Sequence, residues 1–306
     1  MVVSRGRKVC FSDFKKPQMI RSDFRFLDRL RVRWAEVDLQ KIVFNGHYLM
    51  YFDTAVAGYW RALAMPYHPT MEQLQGDLYV RKATLEYAAS ARYEDQLEVG
   101  IRCARIGNSS MSFAAAVFRG EQRLVHGELV YVYADPVTQT SRPVPQVLRD
   151  WLQDYEAGKA MVELRIGPWA ELGAASREVR QAVYAVEQGA PPELVADSAD
   201  ETAVHLVAIN RLGLPLASGR LLSPAPGIGQ IGRMATLASM RGAGIAKAVL
   251  AGLLQASRQR GDREAMLNAA ALALPLYEHA GFARSGAQHL EAGVPHWEMR
   301  LPFRSP

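Results

Sequence analysis

The stretch VRWAEVDLQKIVFNGHYLMYF, residues 32–52, changes its period in the middle. Over residues 30–37 (LRVRWAEV) apolar and polar residues alternate, with Leu30, Val32 and Trp34 on one face, which predicts a half-buried strand running up to Asp38. Beyond a turn around Gln40 and Lys41 the spacing becomes helical. Tyr48, Leu49, Phe52, Ala55, Val56, Tyr59 and Trp60 share one stripe, and further apolar residues occupy the rest of the circumference. A long, largely enclosed helix is therefore expected over residues 46–63. Asn45 stands where an N-cap belongs, because its side chain can accept from an unpaired amide of the first turn.

Strand-like runs follow at 78–87 (LYVRKATLEY), 96–106 (QLEVGIRCARI), 111–119 (MSFAAAVFR) and 123–134 (RLVHGELVYVYA). Turn material such as Gly107-Asn108-Ser109 and Gly120-Glu121 separates them. One strand, one enclosed helix and an antiparallel meander make an α+β layout. Residues 135–147 (DPVTQTSRPVPQV) lead into a short helix ending near Tyr155. The second half restarts with a helix at 175–188 and strands at 203–211, 214–223 and 228–237. A strong helix is expected over 244–260, with Ile245, Ala246, Val249, Leu250, Leu253 and Leu254 on one face. A strand at 265–268, a helix at 272–279 and C-terminal strands including 296–301 complete it. No internal repeat is present, so the halves read as two different folds.

The 306 residues suit two domains, and 49% hydrophobic with 22% charged residues suits globular cores rather than disorder. Cys10 and Cys103 are the only cysteines and lie far apart, which suggests neither a zinc site nor a disulfide framework and favours a reducing, cytoplasmic compartment. The net charge of +5 is concentrated at the start: residues 1–33 hold ten basic and three acidic side chains. That basic arm lacks interleaved aromatics and reads as a solvated tail, not as a nucleic-acid or membrane anchor. No apolar core of a secretory signal and no run of about 20 apolar residues occurs. A soluble protein is expected.

Two stretches carry chemistry. In DLQKIVFNGHY (residues 38–48) a carboxylate at a strand end precedes a helix start, whose free N–H groups and partial positive charge suit a developing oxyanion. Such a carboxylate can activate water or attack directly. The same pattern also fits a turn aspartate followed by a cap asparagine. In IGRMATLASMRGAGIAKAVL (residues 231–250) a strand end turns through Arg241-Gly242-Ala243-Gly244-Ile245-Ala246 into a helix. Small residues and helix amides together form a cradle for an anion such as a pyrophosphate, although the run is neither a Walker loop nor a Rossmann fingerprint.

Residues 32–52 resemble the hot-dog acyl-CoA thioesterases of the 4-hydroxybenzoyl-CoA thioesterase type. The resemblance continues through ARYED (91–95), NSSMSF (108–113) and RPVP (142–145), and it departs from the family at Lys41, Asn45 and His47. It implies that Asp38 is the nucleophile or general base, that the Asn45 amide polarises the thioester carbonyl, and that active sites form at the boundary of a homo-oligomer without any metal. The order strand, R-x-x-G-x-A, helix, strand ending LNA, helix, YEHAGF (277–282) resembles the GNAT acyltransferases, and the tail EAGVPHWEM (291–299) resembles one subgroup of them. That resemblance implies that Met234, Ala235, Thr236 and Leu237 bond the pantetheine, with Asn268 beside them. It also implies that Arg241 to Ala246 hold the pyrophosphate and that Tyr277 protonates the departing thiolate. His296 and Glu298 are further candidates for deprotonating an amine.

The expected protein is thus a basic arm (1–23), a hot-dog thioesterase domain (24–157), a linker (158–167) and a GNAT acyltransferase domain (168–306). No cofactor is expected to be permanently bound; CoA thioesters are substrates, one domain sending the acyl group to water and the other to an unidentified amine. The alternative is an acyl-CoA-binding regulatory protein in which one domain is catalytically silent.

Overall fold

The computed structural model describes residues 19–291 and 293–303. Most of the expected basic arm, including Cys10, lies outside the described residues. Backbone packing divides the chain into two compact units. One comprises residues up to Val56 with Val80–Ile106 and Met111–Val132; the other comprises Ala57–Tyr79, Gly107–Ser110 and Tyr133 onward.

The N-terminal sheet is built from β1 (Phe26–Arg31), β2 (Asp77–Tyr87), β3 (Gln96–Ile106), β4 (Ser110–Arg119) and β5 (Gln122–Ala134), in the order β1-β3-β4-β5-β2. β1 runs antiparallel to β3 from Phe26↔Ile101 to Arg31↔Gln96, and β3 runs antiparallel to β4. The helix α1 (His47–Ala62) follows β1 in the chain, α2 (Tyr67–Leu74) leads into β2, and α3 (Gln146–Glu156) follows β5. Phe52 of α1 is fully buried with Val99, Ile101, Phe113 and Val125. Gly127 makes this closeness possible: a Cβ there would lie 2.0 Å from the Thr84 carbonyl oxygen and 3.2 Å from the Phe52 ring. Only glycine lets β5, β2 and the helix approach so tightly.

The four strands expected between 78 and 134 and the long helix are present, but β2 lies beside β5 and not beside β3, so only β3, β4 and β5 form the expected meander; α1 is enclosed on one side only, with Leu49 41% exposed, and the first strand is displaced. It spans Phe26–Arg31, whereas Trp34–Glu36 wind into a single 3₁₀ turn. Trp34 is 75% exposed and Glu36 only 3%. The alternation outruns the strand because Trp34 is an outward aromatic that stands edge-on to Tyr93 with ring centroids 6.0 Å apart. Short α2 has no counterpart in the periodicity.

The second sheet has the order β11-β13-β10-β9-β8-β7-β6, with β12 paired on β13. Its strands are β6 (Glu163–Gly167), β7 (Val204–Ile209), β8 (Pro215–Ala225), β9 (Ile228–Thr236), β10 (Glu264–Ala270), β11 (Ala283–Arg284), β12 (His289–Glu291) and β13 (Val294–Pro302). β6 lies within the stretch expected as a linker and pairs antiparallel with β7. Between β6 and β7 runs α4 (Trp169–Arg180), continued by a π-helical segment, Gln181–Glu187. α5 (Ile245–Arg260) connects β9 to β10, and α6 (Leu274–His279) follows β10. The apolar stripe of α5 meets β8 at Gly219, where a Cβ would come within 2.8 Å of Leu253 and 3.2 Å of Val249.

One feature of this sheet prepares a site. β9 and β10 are parallel and in register only from Glu264↔Ile228 to Met266↔Gln230. Beyond that, β10 continues on β13 alone, from Leu267↔Met299 to Ala270↔His296, while β9 continues on β8 as far as Ala217↔Thr236. The facing edges of residues 231–236 and 267–270 therefore lack their mutual ladder, and backbone polar groups there need other partners.

Candidate active sites

The N-terminal candidate is a small hairpin ahead of α1. Val37 and Val43 form an isolated antiparallel bridge, Asp38 N–H donates to Ile42 O at 2.9 Å, and Lys41 turns the chain with φ of 61°. Asp38 Oδ1 accepts from the Gln40 amide at 2.8 Å, an Asx turn that fixes the carboxylate while Oδ2 has no hydrogen-bond partner among the described residues. Asp38 is half-buried.

Asn45 is exposed, and its bonds run through the backbone. Its carbonyl accepts from the Tyr87 hydroxyl at 3.2 Å and from the Tyr48 amide at 3.4 Å. The expected side-chain cap does not form, because α1 begins two residues later at His47, whose N–H is bonded to Phe44 O instead. The N–H groups of Asn45 and Gly46 have no backbone partner among the described residues. They remain available as donors, which is the part of the oxyanion expectation that geometry can supply. His47 is half-buried, 6.0 Å from the Phe44 ring centroid.

The residue that sequence reasoning missed is Glu36, which has no periodicity signal of its own and stood two places from the aspartate that drew attention. It is buried, and its Oε2 accepts from the Arg33 amide at 2.7 Å and the Tyr51 hydroxyl at 2.8 Å. Oε1 accepts from the Arg33 guanidinium at 2.7 Å, and Glu36 O accepts from the Phe44 amide at 2.9 Å. Side chain and backbone of one residue thus tie both arms of the Asp38 hairpin to α1. Burial alone would raise the Glu36 carboxyl, but the Arg33 amide, the Tyr51 hydroxyl and the Arg33 guanidinium outweigh it and hold it below its ordinary value. Burial, and then Glu36 itself, push the Tyr51 phenol far up. The neighbouring Tyr48 hydroxyl accepts from the Ala91 amide at 2.8 Å, so the ARYED segment is anchored to the same helix. The basic strand residues behave as an ordinary surface: Arg81 is exposed and Lys82 pairs with Glu128 at 3.0 Å.

The C-terminal candidate surrounds the gap between β9 and β10. Met234 O accepts from the Tyr184 hydroxyl at 2.9 Å, Ala235 is buried opposite Ser218, and Leu237 N–H donates to Leu216 O. Of the four residues expected to bond pantetheine, Leu237 has therefore already committed its amide to β8. Thr236 pairs with Ala217 and is half-buried. Asn268 sits on the free end of β10, exposed.

The glycine loop between β9 and α5 carries two left-handed residues. Gly242 (φ 83°) and Gly244 (φ 77°) are left-handed, and a Cβ at either would meet nothing within 4 Å. Gly244 is the N-cap of α5, so the first-turn amides of Ile245 and Ala246 have no intrahelical acceptor. Ala243 N–H lies 3.4 Å from Met240 O. Arg241, by contrast, is held by a two-pronged ion pair with Glu187, both N–O distances 2.7 Å. It braces the loop from the π-helical segment instead of pointing freely into it.

Tyr277 is buried, edge-on to Phe282, and its hydroxyl has no hydrogen-bond partner among the described residues. Burial pushes its phenol well above the ordinary value, so it keeps its proton at neutral pH. Glu298 Oε1 accepts from Arg300 Nε at 2.8 Å, and His296 Nδ1–H donates to Val294 O at 2.9 Å, which leaves Nε2 as the acceptor nitrogen of that ring.

Two stretches of the chain match known families. Residues 40–126 match the thioesterase superfamily and residues 181–303 match the acetyltransferase (GNAT) domain. The chain is 31% identical over 122 residues to the uncharacterised N-acetyltransferase YjcF of Bacillus subtilis, covering 40% of this chain and 86% of that protein. It is 26% identical over 121 residues to the acyl-CoA thioester hydrolase YbgC of Escherichia coli O157:H7, covering 38% of this chain and 87% of that protein. The PA5185 protein of Pseudomonas aeruginosa superimposes with a TM-score of 0.40 at 28% identity, covering 45% of this chain and 95% of that one. The chain belongs to the GNAT acetyltransferases through its C-terminal domain and carries a hot-dog thioesterase-superfamily domain at its N-terminus. No helix among the described residues is long and apolar enough to cross a membrane.

The Glu36 arrangement predicts a pH-dependent stability. Its carboxyl lies below 4.5 in the fold, so the ion's contribution is complete above that value and is lost as pH falls through the lower folded value. Glu36→Gln should cost about 1–3 kcal/mol at pH 7, the range for disturbing buried hydrogen bonds to a charged group. Urea denaturation of both proteins should show this gap narrowing below pH ~4.5; a constant gap would assign it to packing alone.

Proposed function

We propose that the protein is a bifunctional CoA-thioester enzyme. Its N-terminal domain, about residues 24–157, hydrolyses an acyl-CoA, and its C-terminal domain, about 168–306, transfers an acyl group from acyl-CoA to an amine. The observation that carries the first activity is the fixed Asp38 carboxylate, with Oδ2 open, on a hairpin that ends at unpaired helix-start amides. As general base, Asp38 takes a proton from water while the water oxygen forms a bond to the thioester carbon and the C–S bond breaks. As nucleophile, its oxygen makes that bond first and water releases the acyl group afterwards. In either case the negative oxygen is met by N–H donors that need no reorganisation.

In the second domain the amine nitrogen attacks the thioester carbon, a C–N bond forms, the C–S bond breaks and the nitrogen loses a proton. The unpaired edge of β9 and the loop from Gly242 to Ala246 support CoA binding, since backbone N–H groups at a helix start suit a pyrophosphate. Tyr277, protonated and without another partner, is suited to give its proton to the leaving thiolate. The acyl group is most simply acetyl, and neither step calls for a metal. The sparse use of cysteine supports a cytoplasmic location.

A homo-oligomer built through the hot-dog domain is part of the same proposal. β2 is an edge strand, and Val80, Tyr87, Phe44, Leu49 and Met50 are all exposed on it or near the start of α1. Such an edge with apolar neighbours calls for cover. Light scattering on the purified protein should give at least a dimer mass; a monomer at micromolar concentration rejects this part.

Asp38→Asn should slow hydrolysis of its best acyl-CoA by about 10²–10⁴-fold, the typical worth of a positioned acid–base group, with an unchanged circular dichroism spectrum. A folded variant hydrolysing at the wild-type rate excludes Asp38 from the chemistry.

Tyr277→Phe should lower acyl transfer by a similar factor of about 10²–10⁴ while leaving CoA affinity nearly intact, because the ring's packing is kept. Thiol release with an amine panel in an Asp38→Asn background measures this without interfering hydrolysis. Unaltered turnover removes Tyr277 from the mechanism. CoA binding without turnover on any amine favours the regulatory alternative for this domain.

A further inference from the structure

The C-terminal domain holds a set of charges that CoA chemistry does not use. Arg180 is fully buried and donates from Nη1 to both oxygens of Asp200, at 2.9 and 3.0 Å. Arg220, also buried, bridges Asp200 at 2.8 Å and Asp197 at 2.6 Å. Buried His205 contacts Asp200 through the backbone oxygen, and desolvation lowers its pKa, so it adds no charge at pH 7. Arg233 completes the group with bonds from Nη2 to Asp197 Oδ2 at 2.7 Å and Glu193 O at 3.0 Å. Three guanidinium groups thus face two carboxylates, an excess of one positive charge in a place of low dielectric.

Arg233 is the member that lies on the stretch of β9 without a β10 ladder. Its side chain is 17% exposed, and Nη1 has no hydrogen bond among the described residues. Its Nε is buried and unpartnered, as are those of Arg180 and Arg220. It lies on β9 next to an irregularity in the register with β8 and has φ of 51°, a left-handed conformation rare outside glycine. Such strain in a strand persists only where its surroundings enforce it, and it accumulates at ligand sites. The next residue is Met234, whose carbonyl is held by Tyr184 at the β9 edge that lacks its β10 partner.

We propose that the amine acceptor of this domain also carries a carboxylate, as an amino acid does, and that Arg233 receives that carboxylate. The proposal rests on the acyl-transfer reading and narrows it to a substrate class. A simple polyamine would meet the excess positive charge unfavourably. A carboxylate would meet it with the opposite sign, and a guanidinium Nη suits a carboxylate oxygen.

The test uses the full chain with acetyl-CoA and matched pairs of amino acids and their carboxamides. The carboxylate forms should be preferred by about 10–100-fold in kcat/KM, the range for a charge-assisted hydrogen bond. Arg233→Gln should raise KM for the amino acid by a comparable factor with kcat little changed, and Arg233→Lys should restore part of it. Equal use of acid and amide, or an Arg233→Gln enzyme with wild-type KM, overturns the proposal. Should the Gln variant fail to fold, the acid–amide comparison on the wild type decides alone. A second arm measures binding of N-acetyl amino acids in the presence of CoA by calorimetry. Binding of the acids but not their amides without any turnover retains the site and discards acyl transfer; neither binding nor turnover with carboxylates discards the site.

Discussion

A parallel strand pair that stops after three residues leaves backbone groups on two facing edges with nothing to bond, and the C-terminal domain is arranged around that deficit. β10 stays extended by pairing with β13 on its other side, and β9 by pairing with β8. The gap thus opens without either strand losing its place in the sheet. One of its carbonyls, Met234 O, is met by Tyr184 from the π-helical continuation of α4, and that segment also supplies Glu187 to brace Arg241. A π-helical turn shifts the side chains that follow it, a common device where a helix must deliver a group to a functional site. The glycine loop follows β9 after a single 3₁₀ turn, Ala238–Met240, so the free helix amides and the open strand edge are joined by one short segment of chain.

The hot-dog domain meets the opposite problem. Its sheet is well paired, and its candidate carboxylate sits in a hairpin too short to hold itself. Glu36 supplies the missing rigidity by bonding to the turn before it, to the helix beyond it and to the far arm of the hairpin at once. A buried carboxylate is tolerated because an amide, a phenol and a guanidinium share its charge. The two carboxylates, two residues apart, thus divide the work: one is enclosed and positions, the other keeps an oxygen free to react.

Much of this was legible beforehand, for reasons that can be traced to particular residues. The helical spacing from Tyr48 to Trp60 survives, Leu49 excepted, because Tyr48, Phe52, Ala55, Val56, Tyr59 and Trp60 are buried, and the α5 stripe survives for the same reason. The loop glycines were readable because the left-handed conformation at Gly242 and Gly244 is costly for any other residue. The segment from Arg31 to Glu36 was not readable. Its alternation satisfies the strand template, and nothing local reveals that Glu36 would be the buried residue and Trp34 the exposed one. Short α2, β6 and β12 likewise lack a periodicity long enough to register.

The sequence alone determined the division into two unlike folds, the long helix, the meander of β3, β4 and β5, the glycine loop at Arg241 to Ala246 and the candidacy of Asp38 and Tyr277. Each of these depends on contacts between neighbours in the chain, whose period or motif is written locally. Only the tertiary structure decided that Arg241 is spent on Glu187, that Tyr184 occupies Met234 O, and that Arg180, Arg220 and Arg233 converge on Asp197 and Asp200. The partners in each case lie 20 to 54 positions apart, on separate elements. A charge in a sequence is solvated until a fold encloses it, and which charges become enclosed together is set by how helices and strands pack, not by any pattern along the chain.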